Sequence, residues 1–174
     1  MTKLRYLKAF AAFALTCGMV LIVTSPDISA ASKEAEAKKA IEDLKKSKDN
    51  KVKIASLQKL GELALIQYAF VEPAVPEVFK AIKDSDAGVR AAAAKTLGMI
   101  GPDDPETVPQ LAGLLKDKDE SVKAAAAEGL AYMGKKAEGA VKDLRAASKD
   151  LDAKSKLAKT INNTIKAIQG KKKA

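Results

Sequence analysis

Residues 84–101 read DSDAGVRAAAAKTLGMIG, and residues 117–134 read DKDESVKAAAAEGLAYMG. The two stretches lie 33 residues apart and agree at half of their positions. A repeat of that length marks one supersecondary unit copied along the chain. A single such unit cannot bury its own apolar face, so copies stack and cover one another.

Working outward, residues 49–64 (DNKVKIASLQKLGELA) align with residues 86–101 at an offset of 37. Asp49 meets Asp86, Val52 meets Val89, Lys53 meets Arg90, Leu60 meets Leu97 and Gly61 meets Gly98. The extra residues fall in the linker YAFVEPA at 68–74, where added loop length costs little. Each trailing helix of a unit is preceded by a leading one, PEVFKAIK at 76–83 and PQLAGLLK at 109–116. Both begin at a proline, which fits a first helical turn because it has no amide bond to lose there. The stretch GPDDPET at 101–107 stops one helix and starts the next.

A fourth unit follows. Its leading helix is expected over 135–150, with Val141 and Leu144 in the places of Val108 and Leu111. Its trailing helix is expected over 152–169, where Leu157, Ile161, Ile165 and Ile168 make one apolar face, shifted by one or two residues against the other copies. Residues 32–48 form the first helix, with only Ala37, Ile41 and Leu44 on a narrow apolar stripe. Polar-backed helices at both ends are what an open stack requires. The expected organisation is a signal peptide over 1–31, units at 33–69, 73–101, 105–134 and 137–169 within a repeat domain over 32–170, and a basic tail over 171–174.

The recurring residues have physical jobs. Asp49, Asp86 and Asp119 stand where a carboxylate can accept a free helix amide and meet the positive helix end, worth about 1 kcal/mol. Val52, Val89 and Val122, with Leu60, Leu97 and Leu130, are expected to face inward. The alanine runs at 91–94 and 124–127 keep the trailing helices thin enough for close stacking, and Gly101 and Gly134 suit helix exits. Lys53, Arg90 and Lys123 recur at one position. They form either a basic ladder open to a ligand or a ladder of ion pairs with Asp residues of neighbouring units. The Asp recurs in step with the base, which favours the pairs.

The pattern D-x-D-x-x-V-R/K-x-x-A-A-x-x-L-G/A-x-I/M-G resembles the HEAT repeat, in particular the short HEAT-like repeat of the phycobilisome-lyase type. The resemblance implies an all-α fold, a short α-solenoid forming a right-handed superhelix of about four helical hairpins, with trailing helices on the concave side. It also implies a binding surface more often than a catalyst. The TPLH pattern of ankyrin repeats and the tryptophan-bearing pattern of tetratricopeptide repeats, which share the period, are absent.

Composition narrows the function. The chain of 174 residues has no histidine and one cysteine, Cys17, inside the apolar run 9–23. Zinc sites built from Cys and His, Ser-His-Asp and Cys-His nucleophile pairs, and disulfides are therefore excluded for a processed chain. Lys3, Arg5 and Lys8 precede that apolar run, and Ser29, Ala30 and Ala31 follow it. This is the order of a secretory signal peptide, with cleavage after Ala31 or Ala30. A bacterial extracytoplasmic protein is expected, periplasmic or secreted, monomeric and without a stable membrane span after cleavage.

On the concave side, corresponding positions form stripes: Lys53, Arg90 and Lys123; Gln58, Lys95 and Glu128; Glu62, Met99 and Tyr132. Mixed stripes of this kind suit a protein or peptide partner, and the residues that would meet it are Met99, Tyr132, Glu62, Lys95, Glu128, Arg90 and Lys123, with Met99 and Tyr132 as anchors. Packing or ordinary surface is the competing reading for each. Tyr68 and Phe70 read as an exposed patch or as a plug between units one and two. Asp103 and Asp104 read as a helix start or a weak cation site. No catalytic residue, metal site or cofactor is assigned. The net charge is +9, and removal of residues 1–31, with three basic groups and one acidic group, leaves +7; this supports an alternative, binding of a polyanion such as nucleic acid, anionic lipid or polysaccharide. An enzyme or enzyme partner of the phycobilisome-lyase type is the third reading.

Overall fold

The computed structural model describes residues 26–101 and 105–170. The chain divides into two compact units, Met1–Ala31 and Ser32–Ala174. The expected signal peptide, Asp103, Asp104 and the tail 171–174 therefore lie largely or wholly outside the described residues.

The second unit is an all-α short solenoid, and no strand occurs among the described residues. Four helix pairs follow one another: α1 (Pro26–Lys46) with α2 (Asn50–Ile66), α3 (Val75–Ala81) with α4 (Ala87–Ile100), α5 (Thr107–Leu114) with α6 (Glu120–Met133), and α7 (Val141–Ser148) with α8 (Lys156–Gln169). The trailing helices stack directly, α2 on α4, α4 on α6 and α6 on α8. Short 3-10 turns, Tyr68–Phe70 and Glu72–Ala74, form the long first linker. Tyr68 and Phe70 are half-buried against the core there, as a plug.

Local chemistry sets the helix ends. Asp49, Asp86 and Asp119 accept the amides of Lys51, Val89 and Ser121 at 2.8, 2.9 and 2.8 Å. Gly101 and Gly134 leave their helices at φ of 99° and 55°, a region that side chains disfavour. Leu60, Leu97 and Leu130 are fully buried in one continuous core with Leu57, Val78, Leu111, Leu144 and Ile161.

Three expectations are corrected. Val89 and Val122 are buried, but Val52 is 37% exposed, because no earlier unit among the described residues stands against α2 as α2 stands against α4. The fourth leading segment is split into a 3-10 turn over Gly134–Ala140 and the short helix α7. The fourth trailing helix starts at Lys156, capped by Ser155, whose hydroxyl accepts the Ala158 amide at 3.1 Å.

The α4–α6 crossing is the tightest. A Cβ added to Gly98 would lie against the backbone of Gly129, and one added to Gly129 would come within 2.7 Å of the Ala94 carbonyl oxygen. At the flanking crossings a hydroxyl does the joining. Thr96 donates to the Leu57 carbonyl at 2.8 Å, and Thr164 donates to the Ala127 carbonyl at 3.0 Å. Leu57, Ala94 and Ala127 occupy one position of the repeat, so Thr96, Gly129 and Thr164 face the same point of the preceding unit.

Candidate interaction surface

The sequence places its candidate residues on the trailing helices, and the structure sorts them into two groups. The first group holds the stack together. Lys53 reaches Asp84 of the next unit at 2.8 Å. Arg90 is 7% exposed, and its Nε and Nη2 donate to the two carboxylate oxygens of Asp117 at 2.8 and 2.9 Å. Its Nη1 donates to the Asp84 and Ser85 carbonyls, both at 2.9 Å. Each acid also fastens its own turn: Asp84 accepts the Asp86 amide at 3.0 Å and Asp117 accepts the Asp119 amide at 2.9 Å. The bonds from Lys53 and Arg90 hold the carboxyls of Asp84 and Asp117 below the usual range, and Asp117 in turn raises the Arg90 guanidinium.

Arg90 is thereby corrected as a partner-binding residue, since its donors are spent inside the stack. Lys123 differs. It is half-buried and makes no ion pair with a described residue. The turn before α8 is longer than its counterparts: its cap is Ser155, three residues after Asp152, which corresponds to Asp119. Asp150, the acid in step with Asp117, is left exposed.

The second group faces solvent. Lys95 and Glu128 pair across α4 and α6 at 3.2 Å, each half-exposed. Glu62 pairs with Lys59 of its own helix at 3.3 Å. Met99 is half-buried, and its Sδ would stand 2.7 Å from a Cβ on Gly61, so the thioether fills the notch between α2 and α4. That corrects Met99 as a free anchor. Tyr132 is 50% exposed and stays available.

Tyr132 borders a groove of about 490 Å³ between α6 and α8. Glu128, Ala131 and Tyr132 line it from α6, and Thr160, Asn163, Thr164 and Ala167 line it from α8. A second groove of about 470 Å³ lies along the same helix pair, lined by Glu120, Ser121, Ala124, Ala125, Glu128, Lys156 and Leu157. Glu128 borders both, and the two grooves together are the α6–α8 furrow.

The furrow has a sequence cause. With Thr164 in the place of Thr96, Ala167 takes the place of Met99. A methyl therefore stands where the longer thioether closes the α2–α4 notch. Thr160, Asn163 and Ala167 were not among the predicted residues. The signal for them was Thr164, which fixes the register of α8 once its hydroxyl is seen to repeat the bond of Thr96.

No helix among the described residues is long and apolar enough to cross a membrane, and no group of three or more Cys, Asp or Glu among them is placed to hold a metal ion. A family model described as HEAT repeats matches residues 37–131. Among curated proteins no match is found.

Proposed function

Because the chain belongs to the HEAT-repeat family, whose model spans more than half of it, we propose that it is an exported, non-enzymatic scaffold that binds a protein or peptide along the α6–α8 furrow. The family is typically non-catalytic. The observation that carries the reading is Tyr132, half-exposed beside a wall of Ala131, Ala167 and Thr164. An aromatic ring above small side chains gives a partner an apolar slot with one rigid wall, the type of place where binding energy concentrates. Glu128 at the rim and Asn163 opposite supply polar contacts that set orientation.

Export rests on Lys3, Arg5 and Lys8 before the apolar run 9–23. N-terminal sequencing of the protein recovered from outside the cytoplasm tests it, and a start at Ala31 or Ser32 is expected. The binding reading is tested by capture of extracytoplasmic proteins on the immobilised chain, with Tyr132→Ala and Leu65→Ala compared. Loss of Tyr132 is expected to weaken capture by about 2 kcal/mol, roughly 30-fold in Kd. Leu65, 61% exposed at the far end of α2, is expected to change nothing. Equal capture by all three proteins would refute the furrow as the site.

A further inference from the structure

The last helix pair carries charge in a way the others do not. Helix α8 contains Lys156, Lys159 and Lys166 and no acid. At 3.6 residues per turn these lysines and Asn163 fall within about 80° of arc, opposite Leu157, Ile161 and Ile168. All four are exposed, while the opposing three are buried. Helix α7 adds Lys142 and Arg145, and Lys149 caps its end, again on one stripe and exposed. None of these six cations lies within ion-pair distance of a described carboxylate, although Asp143, Asp150 and Asp152 are close in sequence. On α1 and α2, by contrast, six of the eight lysines (Lys33, Lys38, Lys45, Lys46, Lys53 and Lys59) are paired with described carboxylates, and only Lys39 and Lys51 are not.

The position of the α8 stripe is informative. In α4, Ala94 and Gly98 are the small residues that let the next unit seat itself. Their counterparts in α8 are Asn162 and Lys166, with Lys159 one turn earlier. Lysines stand where a further unit would dock, so this side of α8 is built to meet something other than another repeat.

We propose that the α7–α8 hairpin adsorbs to the surface of an anionic lipid bilayer through Lys142, Arg145, Lys149, Lys156, Lys159 and Lys166. Three observations select that partner. The described aromatics, Tyr68, Phe70, Phe79 and Tyr132, all lie outside α7 and α8, so there is no platform on which bases could stack. Of the two grooves along α6 and α8, only one is bordered by any of these cations, Lys156, so there is no channel to follow a strand. Five of the six are lysines, compact point charges without the planar fork that reads a fixed phosphate. A spread of unpaired lysines suits headgroups that move laterally to meet them.

The test is sedimentation of the full chain with vesicles of mixed phosphatidylglycerol and phosphatidylcholine. Pure phosphatidylcholine vesicles give the baseline, including any contribution of the apolar run 9–23. Each surface cation contributes about fivefold to vesicle affinity. The triple variant Lys156→Gln/Lys159→Gln/Lys166→Gln is expected to lose roughly a hundredfold in affinity. The same loss is expected for Lys142→Gln/Arg145→Gln/Lys149→Gln, an independent check should the first variant fold poorly by circular dichroism. A control with equal charge loss on α1, Lys38→Gln/Lys39→Gln/Lys46→Gln, is expected to lose no more than a few-fold. High salt abolishes binding if the attraction is electrostatic. The proposal is overturned if the unmodified chain ignores anionic vesicles in low salt. It is overturned equally if the control falls as far as the hairpin variants, or if the chain is retained on heparin or DNA but not on vesicles. Lys156 borders the second groove of the furrow, whereas Lys142, Arg145 and Lys149 line neither groove, so the α7-side variant separates this proposal from the reading of Tyr132 and the furrow.

Discussion

Replacing Gly98 by alanine sets two effects of opposite sign against each other. Alanine is the better helix former by about 1 kcal/mol, so in an open helix the change stabilises. At Gly98 the new Cβ would meet the backbone of Gly129, whose carbonyl carbon lies 2.6 Å from its ideal position. Carbon atoms rest at about 3.5–4.0 Å, so α4 and α6 must part by about 1 Å. Backbone cannot swing aside, and parting the helices loosens Ala93, Ala94, Ala126 and Ala127, all fully buried. Overpacking of this kind costs about 1–3 kcal/mol, and more where two backbones collide. The net expectation is a loss of about 2 kcal/mol, a fall in Tm of roughly 4–8 °C.

The same substitution elsewhere should read differently. A Cβ on Gly113 in α5 meets nothing within 4 Å, so Gly113→Ala should raise Tm by a degree or two, about 0.5 kcal/mol. A Cβ on Gly61 meets the Sδ of Met99 at 2.7 Å, the flexible end of a side chain that can turn away, so Gly61→Ala should be close to neutral. Thermal unfolding followed by circular dichroism ranks the three variants. If Gly98→Ala raises Tm as Gly113→Ala does, the close crossing of α4 and α6 is wrong.

Two further outcomes concern the ladder. Arg90→Ala should destabilise by about 3 kcal/mol in urea unfolding, because it strands the Asp117 carboxylate, whose side chain is 11% exposed. Lys53→Ala, which removes one bond from a less buried pair, should cost about 1 kcal/mol; equal losses would refute the difference drawn between the two rungs. Acid should act through the same pairs. Asp84 and Asp117 have depressed folded pKa values, so their contribution is complete above the unfolded value of about 3.9 and is lost as pH falls through the folded one. Tm should therefore be level between about pH 5 and 7 and drop below about pH 4, less steeply in Lys53→Ala/Arg90→Ala. An unchanged acid slope in that variant would contradict the assignment.

The repeat was legible because its signals are local and redundant. Asp86 and Asp119 cap, Val89 and Leu97 point inward, and Gly101 and Gly134 end the helix, each from its own chemistry and each twice. The base-to-acid ladder was legible because Lys53 and Arg90 recur in step with an aspartate. What escaped the sequence depends on contacts between units. Gly98 and Gly129 do not share a position in the repeat, so no alignment brings them together, yet they touch. Met99 reads as an exposed anchor until Gly61 is seen to leave room for its sulfur. The furrow escaped because α8 has drifted: only the hydroxyl of Thr164, bonded as Thr96 is, shows that Ala167 stands in for Met99.

The joints between hairpins have a direction. At the first two the earlier hairpin contributes the cation, Lys53 or Arg90, and the later one contributes the carboxylate that also folds its own bend, at Asp86 and Asp119. Through these pairs, melting of a later hairpin frees a side chain of its predecessor. Melting of an earlier one removes the support under its successor's bend. Through these two pairs, disorder that begins at α1 and α2 loosens the bend before α4 and then the bend before α6, like an unzipped seam, whereas disorder confined to α7 and α8 leaves both bends fastened.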